Sequence, residues 1–173
     1  MINHEFNKVK VADGSEINLY AAFPDRRGNF PALIILQEAF GISEPMRAVA
    51  EAFRKKGYAV VAPDLFRRIT ARLSADQLVK PATLPPYAVF IKDGLAADIK
   101  AVYNWLLQQD KVIKNKIGCA GFFSDGRVSF LADTAACLDN IMLFYGNEDS
   151  NYSLYAAKKD WALTLSFFEH CLK

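Results

Sequence analysis

The amino-acid sequence predicts an α/β fold in which helices cover both faces of a mostly parallel sheet. Residues 32–36 and 58–62 are short apolar runs without the polar alternation of a half-exposed strand, so both are expected to be buried on two faces. Segments with the apolar spacing of helices lie between such runs. This alternation is typical of parallel strands joined by right-handed helical crossovers.

The first half of the chain predicts a hairpin, two buried strands and a helix. Residues 6–11 and 17–23 alternate on either side of an Asp13-Gly14 turn, which favours a β-hairpin. Residues 32–36 form the next strand. Residues 45–56 have an apolar helical face, and Gly57 supplies the C-terminal stop. Residues 58–62 form another strand.

The second half continues the same alternation. Ser74 is placed to cap a short helix through residue 79, and residues 94–109 give the longest helical pattern. Residues 116–121 predict a strand, 126–134 a helix, 140–145 a strand and 152–172 a final helix. We therefore expect one domain that comprises residues 1–173.

Composition excludes several classes of protein. The net charge of +2 is too small to favour nucleic-acid binding, and no apolar run reaches the length of a membrane span. The three cysteines lack metal-ligand or CxxC spacing, and no pattern predicts a cofactor or a metal. We expect a cytoplasmic protein without nucleic-acid or membrane partners.

Loops after the parallel strands are the places to look for function, because ligands bind beyond the carboxyl ends of such strands. The first of these loops contains Glu38, two residues after the 32–36 strand. A carboxylate at this position loses contact with water, which is unfavourable unless a partner compensates for it. It either receives backbone N–H groups as a structural residue or serves the site, and both interpretations remain open.

Residues 117–131 are typical of a strand, a tight glycine turn and the start of a helix. This arrangement holds the nucleophile in α/β hydrolases. Gly121 and Gly126 bracket the turn, but Phe123 stands at its apex and has no group that attacks a carbonyl. The pattern therefore predicts a hydrolase fold and argues against hydrolase chemistry.

Four motifs, taken in order, resemble the dienelactone hydrolase family. They are Gln-Glu-Ala-Phe-Gly at 37–41, Ala-Pro-Asp-Leu-Phe at 62–66, Gly-Phe-x-x-x-Gly-Arg at 121–127 and Phe-Tyr-Gly at 144–146. Residues 152–168 are similar to the last helix of that family. The resemblance extends from about residue 17 to residue 172 and implies an α/β-hydrolase-like three-layer sandwich.

This resemblance also implies which residues correspond to the family's site. The family hydrolyses esters and lactones with a Cys-His-Asp triad, and its nucleophilic cysteine corresponds to Phe123. Its glutamate beside the nucleophile falls on Glu38. The two backbone N–H groups of its oxyanion hole would belong to Ala39 and Ser124, and backbone donors depend on geometry rather than on side-chain identity.

Ser124 is the alternative nucleophile if the turn is shifted by one residue. The tight turn that holds the nucleophile, called the nucleophile elbow, requires small residues two positions before and two positions after the nucleophile. A nucleophile at 123 would have Gly121 and Asp125 there, and one at 124 would have Phe122 and Gly126. Each alignment violates one position, and Gly121 with Gly126-Arg127 favours the alignment on Phe123.

The base and acid of the triad also lack counterparts. The chain has two histidines, His4 and His170, and neither follows a late strand. Phe-Tyr-Gly at 144–146 leads almost directly into residues that resemble the segment after the family's histidine. Two late strands, a helix and the loops with the triad aspartate and histidine are therefore expected to be missing.

Three hypotheses follow. In the first, the chain is a family member without an intact triad and is therefore catalytically impaired or a pseudoenzyme. In the second, it is an active carboxylic-ester hydrolase that uses Ser124 as the nucleophile on a small ester or lactone. In the third, it is a binding and interaction module. If the strand after residue 140 is now an outer edge, a homodimer or an aggregation-prone monomer is expected.

Two further groups of side chains lie in or near these loops. The aromatic residues could line a pocket, although they more often fill a core: Phe40, Phe66, Phe122 and Phe123. Arg67, Arg68 and Arg72 could meet the carboxylate of a substrate.

Overall fold

The computed structural model describes residues 4–36, 42–70, 94–121, 140–143 and 154–173. In these ranges the strands are β1 (His4–Lys10), β2 (Glu16–Ala22), β3 (Phe30–Leu36), β4 (Ala59–Pro63), β5 (Val112–Gly121) and β6 (Asn140–Leu143). The helices are α1 (Glu44–Lys55), α2 (Arg67–Thr70), α3 (Ala96–Leu107) and α4 (Leu154–Leu172).

The strands form one sheet in the order β1-β2-β4-β3-β5-β6. β1, β2 and β4 pair antiparallel, whereas β4, β3, β5 and β6 are parallel. The prediction of a mostly parallel sheet that begins with a hairpin is confirmed. The carboxyl ends of the four parallel strands lie along one edge, which we call the carboxyl edge.

Two details differ from the sequence prediction. β5 begins at Val112 rather than at residue 116, because Val112 pairs with Phe30 before the register shifts and regular pairing resumes at Ala32. The residues between these two pairings include polar ones, so the apolar pattern of the sequence did not predict the extension. The short helix α2 was not predicted. The helices expected at 74–79 and 126–134 lie outside the described residues.

Helix α3 covers one face of the sheet. Its buried residues Ile99, Val102 and Leu106 recur at helical spacing and pack on strand residues such as Ile34 and Leu36. Each such aliphatic side chain contributes about 1.5–3 kcal/mol when it is buried. The helix thus presents one apolar face to the sheet, as the helical pattern of residues 94–109 predicts.

Helices α1 and α4 cover the opposite face. Phe53 of α1 contacts Trp161 and Phe168 of α4, with ring centroids 4.7 and 6.0 Å apart, and Tyr58 lies beside them. Leu33 and Ile35 of β3 belong to this second core. The last helix therefore packs on the same side of the sheet as α1.

Candidate functional site

The predicted site residues follow two strands that end side by side. Leu36 closes β3 and Gly121 closes β5, and the two are register partners in the parallel pairing. Both strand ends are buried. Glu38 and Ala39 follow Leu36, and Phe123 and Ser124 follow Gly121, so the two segments leave the sheet from neighbouring points. Those four residues themselves lie outside the described ranges.

The end of the neighbouring strand β4 is packed into the core. Leu65 and Phe66 are each 5% exposed and belong to the core beneath α3. The backbone N–H of Asp64 donates a hydrogen bond to the carbonyl of Asn18 at 2.8 Å. Phe66 therefore belongs to the core, whereas Phe40, Phe122 and Phe123 are outside the described part of the chain.

A group of charged residues, which we call the Asp98 cluster, lies at the same edge of the sheet. Its members are Asp13, Ser15, Arg67, Arg68 and Asp98. The carboxylate of Asp98 is fully buried and accepts hydrogen bonds from Arg67 Nη2 at 2.6 Å, Arg68 Nε at 2.9 Å and Arg68 Nη2 at 2.7 Å. The forked geometry of the Arg68 contact is the strong form of this interaction.

The cluster corrects one sequence interpretation. Arg67 and Arg68 were considered as partners for the carboxylate of a substrate, but both bind Asp98 of the protein itself. Arg68 also contacts Asp13 at 2.6 Å in the β1–β2 turn. These arginines tie the turn and α2 to the start of α3. Arg72 is outside the described residues.

Electrostatic interactions keep two members of the cluster, Asp13 and Arg68, ionised. The Ser15 hydroxyl and backbone N–H, followed by the Arg68 guanidinium, hold the pKa of Asp13 well below its usual range. The hydrogen bonds of Arg68 to Asp98, and then the one to Asp13, raise the pKa of Arg68 above its usual value. Groups with pKa values moved in these directions do not exchange protons near neutral pH, so neither is a candidate general base.

Asp98 is the residue that sequence reasoning missed. It is three residues after Leu95 and four before Val102, so it falls within the inward stripe of α3. A carboxylate in such a stripe requires a cationic partner. That signal, combined with the Arg67-Arg68 pair, could have identified the ion pair from the sequence.

Both histidines of the chain lie far from the ends of β3 and β5. His4 begins β1, which is four strand positions from β5, or about 20 Å at the usual strand spacing. His170 is exposed in the last turn of α4. A general base must lie within about 3 Å of the proton it accepts. Neither the backbone of His4 nor the side chain of His170 lies within that distance of the described ends of β3 and β5.

Contacts of the last residue fix the position of His170. Lys173 Nζ donates to the carbonyl of Lys56, just before β4, and Lys116 Nζ donates to the main-chain oxygen of Lys173, both at 2.9 Å. Lys116 is five residues before Gly121, which corresponds to roughly 16 Å of strand. The end of α4 therefore lies towards the edge opposite the carboxyl edge.

Neither of the described cysteines forms a disulfide. Cys119 is buried in β5, as expected of a small core residue, and Cys171 is half-buried in α4. Cys137 lies outside the described ranges. Over the part of the chain that the structure describes, there is no group of three or more acidic, cysteine or histidine side chains placed to hold a metal ion.

The order of the strands and the helices on both faces of the sheet form an α/β-hydrolase-like fold. Solved structures with this fold include dienelactone hydrolase from Anabaena variabilis, which is 15% identical with a TM-score of 0.59 and 99% of each chain covered. A dienelactone hydrolase-like promiscuous phosphotriesterase from metagenomic libraries is 12% identical with a TM-score of 0.65, covering 98% of this chain and 99% of that one.

Residues 17–153 match the model of the dienelactone hydrolase family. The chain belongs to this family. Carboxymethylenebutenolidase from Pseudomonas putida is 27% identical over 119 residues, which are 67% of this chain and 50% of that protein. The chain spans about half the length of the curated relatives it matches.

Within the described residues, no helix combines the length and the apolar character that crossing a membrane requires.

Proposed function

We propose that this chain is a dienelactone hydrolase-family protein that lacks Cys-His-Asp catalysis, and that it acts in the cytoplasm as a pseudoenzyme. The observation that carries the proposal is the position of its two histidines. One lies about 20 Å from β5 across the sheet, and the other is near the opposite edge. Without an imidazole, a hydroxyl or thiol nucleophile is weak at neutral pH.

The residue at the nucleophile position supports the same proposal. The family motif places Phe123 where the cysteine belongs, and a phenyl ring cannot form an acyl intermediate. Enzymes that lose triad members retain only the smaller contribution of binding and of the oxyanion hole. Ala39 and Ser124 could still provide backbone donors, so binding of a small ester or lactone is the activity that we expect to persist.

The first test restores the missing nucleophile. We expect Phe123→Cys to react with iodoacetamide but to hydrolyse p-nitrophenyl acetate no faster than the unmodified protein, because no base activates the thiol. The Cys119 thiol is buried, so labelling of Phe123→Cys is compared with labelling of the parent chain. A hydrolysis rate that rises by about a hundredfold or more, the usual contribution of a general base, would refute the proposal.

A second measurement addresses Ser124. We expect a fluorophosphonate probe to leave the native protein unlabelled, and any slow turnover of p-nitrophenyl acetate to be equal in Ser124→Ala and in Ser166→Ala. Ser166 is an exposed serine of α4 and is the matched control. Turnover that disappears only in Ser124→Ala identifies an active ester hydrolase. A phosphotriester should be tested beside p-nitrophenyl acetate, because one protein of similar structure is a phosphotriesterase.

A further inference from the structure

The outer edge of the sheet at β1 presents a row of backbone groups. In the described part of the sheet, β1 pairs with β2 alone. Just after β1, the backbone N–H of Val11 donates to the carbonyl of Ser15 at 2.8 Å, which continues the register of the two strands. Backbone groups alternate in direction along an antiparallel strand, so Lys8 and Lys10 direct their N–H and C=O groups away from β2.

A second hydrogen bond supports this assignment. Lys8 is the register partner of Asn18, and the carbonyl of Asn18 accepts the N–H of Asp64, just after β4. The main chain of Asn18 therefore points away from β1, and that of Lys8 points to the outer edge. By the same alternation, Phe6, Lys8 and Lys10 offer outward backbone groups that can accept another strand.

The side chains of these three residues share one face of β1. Val9 belongs to the core beneath α3, so its alternate neighbours Phe6, Lys8 and Lys10 project from the other face. Phe6 is 62% exposed. Lys8 approaches Glu16 of β2 at 3.9 Å, but both side chains are largely exposed, so this pair is weak. The free edge thus carries one apolar and two cationic side chains that are open to a partner.

A groove of about 510 Å³ lies between β1 and α3, on the side of the sheet that Val9 faces. Residues 8–10 line it on the strand. Because the lysine side chains leave from the opposite face, their main chain contributes to this wall. The wall on α3 includes Ala97, Ala101 and Trp105. The two alanines leave room for small side chains of a strand added at the edge.

We propose that the outer edge of β1 binds an extended acidic segment of a partner protein as an added antiparallel strand. Every second residue of the segment lies beside Lys10, Lys8 or Phe6, so it carries carboxylates at two alternate positions and an apolar side chain at the third. The residues between them are small and apolar and point to α3. Main-chain hydrogen bonds supply affinity in this mode of binding, and alternate side chains supply specificity.

The charge of the edge favours this occupant over a second copy of the chain. Pairing of β1 with another β1 brings lysines beside lysines, and lysine on an outer strand discourages such self-pairing. An acidic strand replaces that repulsion with attraction. No acidic residue is among the described residues that line the groove, so the segment meets no like charge there.

A fluorescein-labelled peptide that contains Glu-Val-Glu-Val-Phe tests the proposal with the whole chain. In an antiparallel strand its glutamates lie beside Lys10 and Lys8, its phenylalanine lies beside Phe6, and its valines point to α3. We expect a saturable rise in fluorescence anisotropy with this peptide and none with Lys-Val-Lys-Val-Phe. Raised salt should weaken binding, because both lysines are exposed.

Methylation of the peptide backbone separates strand pairing from attraction between charges. The glutamate N–H groups face β1 in the proposed register, whereas the valine N–H groups face away from it. N-methylation of both glutamates should raise the Kd by about tenfold or more, because a hydrogen bond is lost at each. The same change at both valines is the matched control and should leave saturable binding in place.

Lysine variants locate the binding on the protein. Lys8→Glu and Lys10→Glu should each raise the Kd by about fivefold or more, since an exposed charge pair becomes a repulsive one. Lys114→Glu changes an exposed lysine of β5 and should leave the Kd unchanged. The double variant Lys8→Glu/Lys10→Glu should bind Lys-Val-Lys-Val-Phe. Urea unfolding of each variant verifies that the fold is kept.

Four results would overturn the proposal. The first is the absence of saturable binding of the acidic peptide, and the second is equal weakening by methylation of the glutamates and of the valines. The third is an equal loss of affinity in Lys114→Glu and Lys8→Glu, which would indicate diffuse attraction to surface charge. The fourth is a dimer that Phe6→Lys dissociates, because a second copy would then occupy this edge.

Discussion

Tyr58 illustrates how a single buried polar atom affects stability. Its side chain is fully buried beside Phe53 and Phe168, and Lys173 Nζ lies 4.8 Å from the ring centroid. The phenol oxygen has no hydrogen-bond partner in the described part of the chain. Burial, and then the nearby Glu169 carboxylate, raises the pKa of Tyr58 to about 12 from 10.0.

Replacing this residue should therefore be harmless at neutral pH. We expect Tyr58→Phe to keep or increase the free energy of unfolding at pH 7, because it removes an unpaired buried hydroxyl. The native state binds the phenol proton more tightly than the unfolded state, so stability falls as the pH rises from about 10 to 12. Tyr58→Phe should show a shallower decline over that interval, measured by urea unfolding.

Tyr20→Phe is the matched comparison. The Tyr20 hydroxyl donates a hydrogen bond to Glu51 at 3.0 Å, and burial followed by that contact raises its pKa to about 12. The free energy of unfolding of this variant should be about 1 kcal/mol lower at pH 7. A similar loss in Tyr58→Phe would show that its phenol has a partner.

At the level of residues, the sequence predicts burial better than it predicts pairing. The burial of Phe53 and Ile99 follows from their spacing, because a helix presents every third or fourth side chain to the sheet. The partner of Asp98 does not follow from spacing, since Arg67 and Arg68 are about thirty residues earlier in the chain. Only the fold brings those charges together.

The Asp98 cluster connects separate elements and has its own predicted effect. We expect Asp98→Asn to lower the free energy of unfolding by about 3–5 kcal/mol, because it leaves two guanidinium groups without their buried counter-charge. Asp110→Asn removes an exposed carboxylate after α3 and should change stability little. Chemical denaturation at pH 7 measures both variants, and equal losses would contradict the role assigned to the cluster.

Among the elements, helices and buried strands were predictable, and the irregular parts were not. The bounds of α1 and α3 differ by one or two residues from those predicted, because Gly57 and the apolar period mark them. The early part of β5 carries polar residues at a register shift, so its pairing depends on Phe30 and not on its own pattern. The ends of β3 and β5 could be predicted to adjoin, but not the chemistry of the residues beyond them.

An outer strand is where we expect the whole molecule to associate with a second copy. In the described part of the sheet, β6 pairs with β5 alone and forms one outer edge. Backbone groups on such an edge can pair with a second copy. We expect a homodimer by light scattering at high concentration, which Met142→Lys should shift towards monomer.

The opposite edge provides the control for that experiment. Phe6 of β1 is 62% exposed, and the centroid of its ring lies 5.6 Å from that of the tilted Tyr20 ring. Phe6→Lys should leave the dimer intact if β6 is the interface. A monomer at all concentrations, or a dimer lost only in Phe6→Lys, would refute association through β6.

The alternating directions of the β3 side chains have an evolutionary consequence. Ile34 contributes to the layer beneath α3, while its immediate neighbour Ile35 contributes to the layer beneath α1 and α4. Selection can thus repack one layer while the other retains its ancestral residues. A lineage that discards its catalytic groups can still preserve a well-packed interior, since neither layer depends on the survival of the chemistry.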